Sequence, residues 1–378
     1  MRYTISMKHM LLVWSFICLL SVIIYVYFSQ GNQKVAVTTL SPIAFSKIII
    51  SPTPIQSGPT PTNVSITNIT KQLVVPYWTL SGKHIDTTEY TTIIYFGVPA
   101  NTEGLNTQDP GYTHIDIFNK VVNSNTKRLL TIRMIDSNIN IKVLDDKDLQ
   151  QKVVTQSVAL AKEKRFDGIV LDFEITALGF DSVVKSISDF ETHFATQTHA
   201  GGLPFYATVY GDTYARYRPY DVASIAKQAD RIFIMAYDFH KANGDPGPNF
   251  PLHQTQNDGY DLVTMISDFL KQVPAEKITV VFGMYGYDWQ VDDKQRGVGQ
   301  AVSLSDNKIQ QKFLDTCSFK DCTIKRDQLS AETEITYTDI PDQKHIVWFE
   351  DMDSVAKKID FLKSKRIGSV GYWAYSYF

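Results

Sequence analysis

From about residue 73 the chain alternates short apolar runs, rich in β-branched and aromatic residues, with stretches whose apolar residues recur every three or four positions. The first pattern predicts buried strands and the second predicts amphipathic helices. Eight runs are predicted as strands: 73–78, 91–97, 128–134, 168–174, 204–210, 230–237, 277–284 and 368–374. Helical stripes lie between them, for example at 149–161, 183–194, 262–270 and 355–362. Eight strands that alternate with helices predict an α/β fold, a closed (β/α)8 TIM barrel.

An open, doubly wound sheet is the alternative to a barrel. Such a sheet normally carries a glycine-rich phosphate-binding turn after its first strand, and the sequence PYWTLSGK at that point offers none. One segment, about 288–343, is too long for an ordinary connection between a strand and a helix. We therefore expect a lobe inserted between the seventh and eighth strands of the barrel.

The N-terminal part of the chain has a different pattern. Residues 10–28 contain no charged residue and are long enough to cross a bilayer. Arg2 and Lys8 precede this run, whereas only Lys34 follows it closely, which favours an N-terminus inside the cell. We therefore expect an uncleaved single-pass anchor with the barrel outside the cell. A cleaved signal peptide, which would leave a secreted protein, is the competing interpretation.

The residues that follow this run are rich in Ser, Thr and Pro and cannot bury much surface, so they predict an extended linker. The predicted organisation therefore has four parts. These are a cytoplasmic tail (1–9), a transmembrane signal-anchor (10–28), a linker (29–72) and the barrel (73–378).

Composition excludes several classes of protein. The chain of 378 residues is 44% hydrophobic with a net charge of −3, which is ordinary for a globular protein and shows no basic surplus for a nucleic-acid partner. No H-E-x-x-H or comparable histidine cluster is present, so we expect neither a metal nor another cofactor. Cys317 and Cys322 are the candidate disulfide pair if the compartment is oxidising, and two free thiols are the alternative. The oligomeric state is not indicated.

The fourth predicted strand, FDGIVLDFE, carries the most chemical information. Because side chains alternate along a strand, Asp172 and Glu174 share one face, and the C-terminal ends of barrel strands are where activity collects. Two neighbouring carboxylates raise each other's proton affinity, which favours one protonated acid beside one anion. That state suits general acid catalysis at a glycosidic oxygen. Pairing with basic residues at the barrel rim is the structural alternative.

FDGIVLDFE resembles the D-G-x-x-x-D-x-E signature of glycoside hydrolase family 18, the chitinases and their relatives. The resemblance covers much of residues 73–378, and one of its loops resembles the branch that contains spore-cortex and cell-wall hydrolases. It implies a TIM barrel that cleaves β-linked polymers containing N-acetylglucosamine, such as chitin or peptidoglycan. Four further segments resemble the family in the family's order: IFIMAYDFH, the P-G-P loop GDPGPNFPL, MYGYDW, and the C-terminal segment from WFEDM to GYWAYS.

The resemblance assigns roles to five residues. Glu174 would be the general acid that protonates the leaving oxygen. Asp172 would stabilise the acetamido group of the substrate, and Tyr237, helped by Asp238, would form a hydrogen bond with that group. Trp373 would form the floor beneath the sugar. Tyr77, Tyr285 and Trp289 are further candidates for lining the cleft.

The mechanism that the resemblance implies is retaining and substrate-assisted. Apart from Asp238, no second strand end offers a carboxylate nucleophile, and in the family the 2-acetamido oxygen of the substrate attacks instead, giving an oxazolinium intermediate. Val170 departs from the family pattern, because the fuller signature has another aspartate there. This departure affects the expected rate and pH range. It also keeps open an alternative function, a carbohydrate-binding barrel without catalytic activity.

Overall fold

The computed structural model describes residues 68–123, 125–177, 179–254 and 259–378. The predicted tail, the predicted anchor at 10–28 and the linker up to residue 67 lie outside the described residues. Within the described part of the chain, no helix is both long enough and apolar enough to cross a membrane.

Eight parallel strands form a closed barrel. Strand β1 pairs with both β2 and β14, so the sheet has no free edge between its first and last members. This closure confirms the predicted (β/α)8 barrel and excludes the open sheet. A short strand, β3, only extends β2 as an antiparallel hairpin. The bounds are β1 (Thr70–Pro76), β2 (Thr92–Asn101), β3 (Gly104–Leu105), β4 (Lys127–Met134), β5 (Ile169–Phe173), β6 (Phe205–Tyr210), β7 (Arg231–Ala236), β8 (Ile278–Gly283) and β14 (Ser369–Trp373).

Helices connect the strands, and many of them begin at an aspartate. In six helices the carboxylate of this N-cap residue accepts a backbone N–H of the first turn, which would otherwise have no partner; Asp109 caps the first of them in this way. The other capping residues are Asp136, Asp146, Asp221, Asp261 and Asp351. The helices are α1 (Pro110–Thr113), α2 (Ile115–Val121), α3 (Ser137–Asp145), α4 (Lys147–Glu163), α5 (Asp181–Ala200), α6 (Val222–Gln228), α7 (Leu262–Leu270), α8 (Asp306–Ile309) and α9 (Met352–Ser364).

The alternation of side chains along the strands separates two apolar regions. On β5, Leu171 and Phe173 pack in the large core between barrel and helices, where each buried side chain of this size contributes about 1.5–3 kcal/mol. Val170, on the other face, belongs to a small cluster inside the barrel. The face of β5 that carries Val170 therefore points into the barrel. Asp172 lies on the same face closer to the barrel mouth, as the sequence predicts.

The barrel begins earlier than the sequence suggests. Strand β1 starts at Thr70, whereas the predicted linker extends to residue 72. Because Gln72 is polar, the sequence does not indicate that the strand includes it, but in the fold Gln72 is buried. Its amide donates to the hydroxyl oxygens of Ser369 at 2.8 Å and of Thr279 at 3.3 Å. A polar residue can therefore be buried where the barrel closes, because side chains of the other barrel strands satisfy its hydrogen bonds.

Between β8 and α9 the chain forms a second sheet, which we call the lobe (residues 285–349). Its five strands are antiparallel in the order β10-β9-β13-β12-β11. The predicted pairing of Cys317 with Cys322 is confirmed, because a disulfide joins them beside the small apolar core of the lobe. The strands are β9 (Tyr285–Val291), β10 (Val302–Ser305), β11 (Lys320–Arg326), β12 (Thr333–Thr338) and β13 (Lys344–Phe349).

A buried ion triad ties the lobe to the barrel. Lys358 of α9 lies between Glu332 and Glu350, and all three side chains are fully buried. Glu332, directly before β12, also accepts the backbone N–H groups of Asn249 at 2.5 Å and Phe250 at 2.8 Å. Buried charges are stable only when they are paired and hydrogen-bonded in this way. The triad therefore fixes the loop that follows β7 against the lobe.

Candidate active site

The C-terminal ends of the barrel strands surround a cavity of about 280 Å³. Three carboxyl groups line it, those of Asp172, Glu174 and Asp238. The rest of its wall is largely apolar. The aromatic residues of the wall are Trp78, Phe96, Phe233, Tyr237, Tyr285 and Trp373. We call this space the aromatic cavity.

Asp172 lies at the end of β5 and is only 2% exposed. The register of β5 with β6 places Thr208 beside it, and the Thr208 hydroxyl donates to Oδ1 of Asp172 at 2.5 Å. Burial raises the pKa of Asp172 to about 8, and the charge of Glu174 acts in the same direction. The threonine hydrogen bond and Arg133 on β4 only partly offset this rise. Asp172 therefore binds a proton far more readily than an exposed aspartate.

Glu174 follows directly after β5, and neighbouring groups fix both its backbone and its carboxyl group. The amide of Asn140 donates to the carbonyl oxygens of Glu174 at 2.6 Å and Met134 at 2.7 Å. The hydroxyl of Tyr210 donates to Oε2 of Glu174 at 2.6 Å. Burial raises the pKa of Glu174, while this tyrosine hydrogen bond acts in the opposite direction. The raised pKa keeps a transferable proton on Glu174 at higher pH, as a general acid requires.

We expect Tyr210→Phe to move the pH dependence of any reaction in which Glu174 is the general acid to higher pH. The variant lacks the hydrogen bond that favours the Glu174 carboxylate, so the pKa of Glu174 rises further. The basic limb of the kcat/KM profile, which reports loss of the acid's proton, should then shift up by about 1 pH unit. Maximal kcat should fall about tenfold because the carboxyl group is less well oriented. A pH–rate profile measures both effects.

Tyr260→Phe is the matched control for this variant, because Tyr260 also donates to a carboxylate, Asp268, at 3.2 Å, and lines neither cavity described here. Its profile should match that of the wild type. A basic limb that moves to lower pH in Tyr210→Phe would contradict the role of Tyr210.

Asp238 is held in an uncommon backbone conformation. Its φ of +59° is in the left-handed region, which residues other than glycine rarely adopt. Its N–H donates to Oδ1 of Asn249 at 2.7 Å, and the Asn249 amide donates in turn to the carbonyl oxygen of Gly283 at 3.0 Å. The hydroxyls of Tyr285 and Tyr287 both donate to Oδ1 of Asp238. Asp238 is therefore a fixed hydrogen-bonding group whose charge is already shared by two tyrosines.

Two aromatic rings face the aromatic cavity in nearly parallel planes. The ring centroids of Tyr237 and Trp373 are 6.4 Å apart and their planes differ by 24°. Phe96 holds the Trp373 indole from the side, with an edge-to-face contact at 4.7 Å. The hydroxyl of Tyr237 makes no hydrogen bond with any described residue, so it is available to a ligand. A flat indole with a nearby free hydroxyl suits the C–H face and a polar substituent of a pyranose.

A second cavity, of about 310 Å³, adjoins the first, and its lining is mainly polar. The two cavities share Glu174, Tyr237 and Asp238 as part of their boundary. We call this second space the polar cavity; it also contains Asp212, Arg218 and Lys241. Glu174 thus lies between two spaces, each of a size suited to one unit of a polymer. Among the described residues, no group of three or more histidine, cysteine or acidic side chains is arranged to hold a metal ion.

The structure brings together most of the residues that the sequence predicts for the site, but not all of them. Asp172, Glu174, Tyr237, Asp238, Tyr285 and Trp373 all line the aromatic cavity. Trp289 does not, because it is 1% exposed and packs with Val291 and Ile346 in the lobe. Tyr77 also lies outside the lining and packs against the guanidinium group of Arg133, while its neighbour Trp78 lines the cavity instead.

Sequence reasoning missed four residues that support or line the site: Trp78, Thr208, Tyr210 and Asn249. A signal exists for three of them. Thr208 and Tyr210 occupy alternate positions on a predicted strand and so face the barrel interior, and Trp78 lies an even number of positions after Val74, which belongs to the inner cluster. Asn249 lies in a loop, where no periodicity indicates the direction of a side chain.

The chain matches the model of the family described as glycosyl hydrolases family 18 over residues 73–377. The sporulation-specific glycosylase YdhD of Bacillus subtilis (strain 168) is 28% identical over 242 residues, which are 61% of this chain and 52% of that protein. This chain thus spans about half the length of that relative.

Two solved structures share the fold. The Bacillus cereus spore cortex-lytic enzyme SleL has a TM-score of 0.65 with 20% identity, covering 82% of this chain and 71% of its own. A class V chitinase from Nicotiana tobaccum in complex with NAG4 has a TM-score of 0.71 with 18% identity, covering 82% and 95%. At these identities the likeness shows the fold alone.

Proposed function

Because the chain belongs to glycosyl hydrolases family 18 and is a glycoside hydrolase, we propose that it cleaves β-linked polysaccharides containing N-acetylglucosamine. The configuration at the anomeric carbon is retained, and the acetamido group of the substrate is the nucleophile. The related barrels include a chitinase in complex with NAG4 and a spore cortex-lytic enzyme, which supports a chitin-like or peptidoglycan-like polymer.

The position of the carboxyl groups carries this proposal. A retaining enzyme that supplies its own nucleophile needs a second carboxylate about 5–5.5 Å from the acid, on the other side of the scissile bond. Asp172 instead lies at the end of β5 and Glu174 directly after it, two positions apart, and both line the aromatic cavity. Asp238 already accepts two tyrosine hydroxyls on one oxygen. This arrangement supports the acetamido group of the substrate as the nucleophile.

The reaction begins with a sugar bound in the aromatic cavity above Trp373. Glu174 donates its proton to the bridging oxygen, the bond from that oxygen to the anomeric carbon breaks, and the acetamido oxygen bonds to that carbon. In the productive form of the pair the proton lies on Glu174 and Asp172 is a carboxylate. Asp172 then stabilises the positive charge of the oxazolinium ion, and Tyr237 donates a hydrogen bond that holds the acetamido group in line. The Glu174 carboxylate then removes a proton from a water molecule, which attacks the anomeric carbon from the side that the leaving group occupied. The bond from the acetamido oxygen to that carbon breaks, which restores the acetamido group.

Val170 modifies the rate of this reaction. It is buried in the inner cluster of the barrel, one strand position beneath Asp172, and cannot exchange a proton with it. Apart from Glu174, the polar groups that act on the charge of Asp172 are Thr208 and Arg133. The alternative function, a carbohydrate-binding barrel without catalytic activity, is supported by Val170 alone. Catalysis is supported by Glu174 and by the hydrogen bond that Tyr210 donates to it. We therefore propose a slower catalyst rather than a binding protein.

The substrate itself offers the most direct test. An N-acetylglucosamine tetramer should be hydrolysed faster than its fully deacetylated form by a factor of about 10³ or more, because only the acetylated sugar carries the internal nucleophile. Mass spectrometry of the products measures the rates, and NMR of the first-formed anomer tests retention. Equal rates for the two tetramers would exclude substrate assistance. Hydrolysis of neither tetramer, nor of peptidoglycan glycans, would contradict the proposed substrate class.

The placement of the enzyme outside the cell, on an anchor at residues 10–28, is also a proposal. The disulfide between Cys317 and Cys322 supports an oxidising compartment. Protease added to intact cells should release a soluble barrel by cutting within the linker. A mature protein that begins near residue 30 and is absent from the membrane fraction would contradict the anchor and favour a cleaved signal.

A further inference from the structure

Lys241 is an unpaired cation in the wall of the polar cavity. Its side chain is half-buried, and its ammonium group forms neither an ion pair nor a hydrogen bond with any described residue. Lysine side chains without partners are usually fully exposed to solvent, where hydration compensates their charge. A partly desolvated ammonium group that faces a cavity is therefore placed to meet a negatively charged ligand.

The other charges of this cavity do not neutralise Lys241. Asp212 is occupied by two guanidinium groups, because Arg218 contacts both of its oxygens at 2.8 Å and Arg216 contacts one at 3.0 Å. Asp238 shares its charge with two tyrosine hydroxyls. When Glu174 carries its catalytic proton, two cations, Arg218 and Lys241, and two anions, Asp212 and Asp238, remain in the lining of the cavity. Of these four charged groups, only Lys241 has no ion pair or hydrogen bond with a described residue, so its charge is left for a ligand to neutralise.

The position of Lys241 is also unfavourable for catalysis on an uncharged polymer. The positive charge of Lys241 lowers the pKa of Glu174, against the larger effect of burial, which raises it. A general acid works only when it is protonated, so a nearby cation opposes its function. An anionic group that pairs with Lys241 would cancel this field while the substrate is bound.

The polar cavity lies on the leaving-group side of the site. Asp172 and Trp373 line only the aromatic cavity, so the sugar whose acetamido group reacts is bound there. Glu174 lies at the boundary, where the bridging oxygen must be protonated. The sugar on the other side of that oxygen is the one that departs, and it occupies the cavity that contains Lys241.

We propose that Lys241 selects polymers whose leaving-group sugar carries a carboxylate, through an ion pair formed in the polar cavity. The inference rests on the proposed function and names its substrate more narrowly, because plain chitin has no such group. A carboxylate on this sugar has two ordinary sources, a lactyl ether on O3 or an oxidised C6, and the ammonium group of Lys241 suits either.

The test compares glycans that differ only in charge. Tetrasaccharides with a leaving-group sugar that bears an O3 lactyl carboxylate, or a C6 carboxylate, are each paired with the corresponding carboxamide. For the wild-type chain, kcat/KM should be about tenfold or more higher for at least one carboxylate than for its amide. Lys241→Met should bring that ratio close to one, and Lys241→Arg should restore most of it. A change in the pKa of Glu174 caused by the Lys241 substitution affects the carboxylate and carboxamide glycans alike, so the ratio of their rates corrects for it.

Lys185→Met is the matched control, because Lys185 is exposed on α5 and pairs there with Asp189. It should leave the ratio unchanged. The position of the carboxylate is identified by whichever glycan shows the dependence on Lys241. A wild-type ratio near one for both glycans, or a ratio that survives in Lys241→Met, would overturn the inference.

Failure of the proposed function gives a different result. If the wild-type chain cleaved none of these glycans, hydrolysis of this polymer class would be wrong. Calorimetric affinities for the same carboxylate and amide pairs, in the wild type and Lys241→Met, would then still decide whether Lys241 prefers the charged ligand.

Discussion

Replacing Glu174 by glutamine will lower kcat for hydrolysis of an N-acetylglucosamine tetramer by about 10³-fold or more, since a positioned general acid typically contributes 10²–10⁴-fold and the leaving oxygen is a poor leaving group without a proton. The glutamine side chain has nearly the same shape and can still accept the hydrogen bond from Tyr210. Affinity for the tetramer, measured by calorimetry, should therefore stay within about threefold of the wild-type value. The loss falls on kcat because only the transferable proton is removed.

Glu163→Gln, an exposed position at the end of α4, is the control for this experiment and should keep wild-type activity. Residual activity of Glu174→Gln above about one tenth of wild type would assign the proton donor to another group. A parallel loss of affinity and kcat would instead indicate that the cavity had been distorted.

Replacing Asp172 by asparagine is expected to lower kcat by about 10²–10³-fold, the usual cost of removing one group that stabilises charge in the transition state. Asparagine is close to isosteric and can still accept the Thr208 hydroxyl. The lost charge therefore accounts for most of the effect, which steady-state kinetics on the acetylated tetramer measures.

The same variant should change how stability depends on pH. The pKa of Asp172 is about 8 in the fold and near 4 when unfolded, so between these values the folded state binds more protons. Wild-type stability therefore falls as pH rises from about 4 to 8, and this contribution is absent in Asp172→Asn. Thermal unfolding at pH 5 and pH 8 should show a smaller decrease of Tm in the variant.

Asp189→Asn, exposed on α5, is the control and should change neither kinetics nor the pH dependence of Tm. A fall of kcat below tenfold, together with lower stability at both pH values, would make Asp172 a structural residue rather than a catalytic one.

The barrel strands and the two acids on β5 could be predicted because both follow from local periodicity. A strand of five residues already defines which side chains face inward, and the inward face of FDGIVLDFE ends in Asp172 and Glu174. The same rule applied to the first predicted strand would have favoured Trp78 over Tyr77, since Trp78 is an even number of positions from the inward-facing Val74.

Trp289 shows where a local rule stops being useful. It belongs to the same motif as Tyr285, and both have the same parity along β9. At about 3.3 Å per residue, four positions carry the chain roughly 13 Å away from the barrel mouth. Tyr285 thus reaches Asp238, whereas Trp289 is buried in the lobe. The direction in which a strand leaves the barrel depends on tertiary contacts, which no periodicity in the motif records.

The buried ion triad has a consequence for protein engineering. Trimming the lobe to open the cleft for bulkier polymers would delete Glu332, leaving Lys358 with one carboxylate and the N–H groups of Asn249 and Phe250 without an acceptor. The damage would extend through Asn249 to Asp238 at the reaction centre. The cleft therefore cannot be widened by cutting out the lobe alone. A workable redesign would keep Glu332, β12, β13 and the start of α9. It would replace only the part of the lobe between β9 and Glu332, which contains β10 and β11.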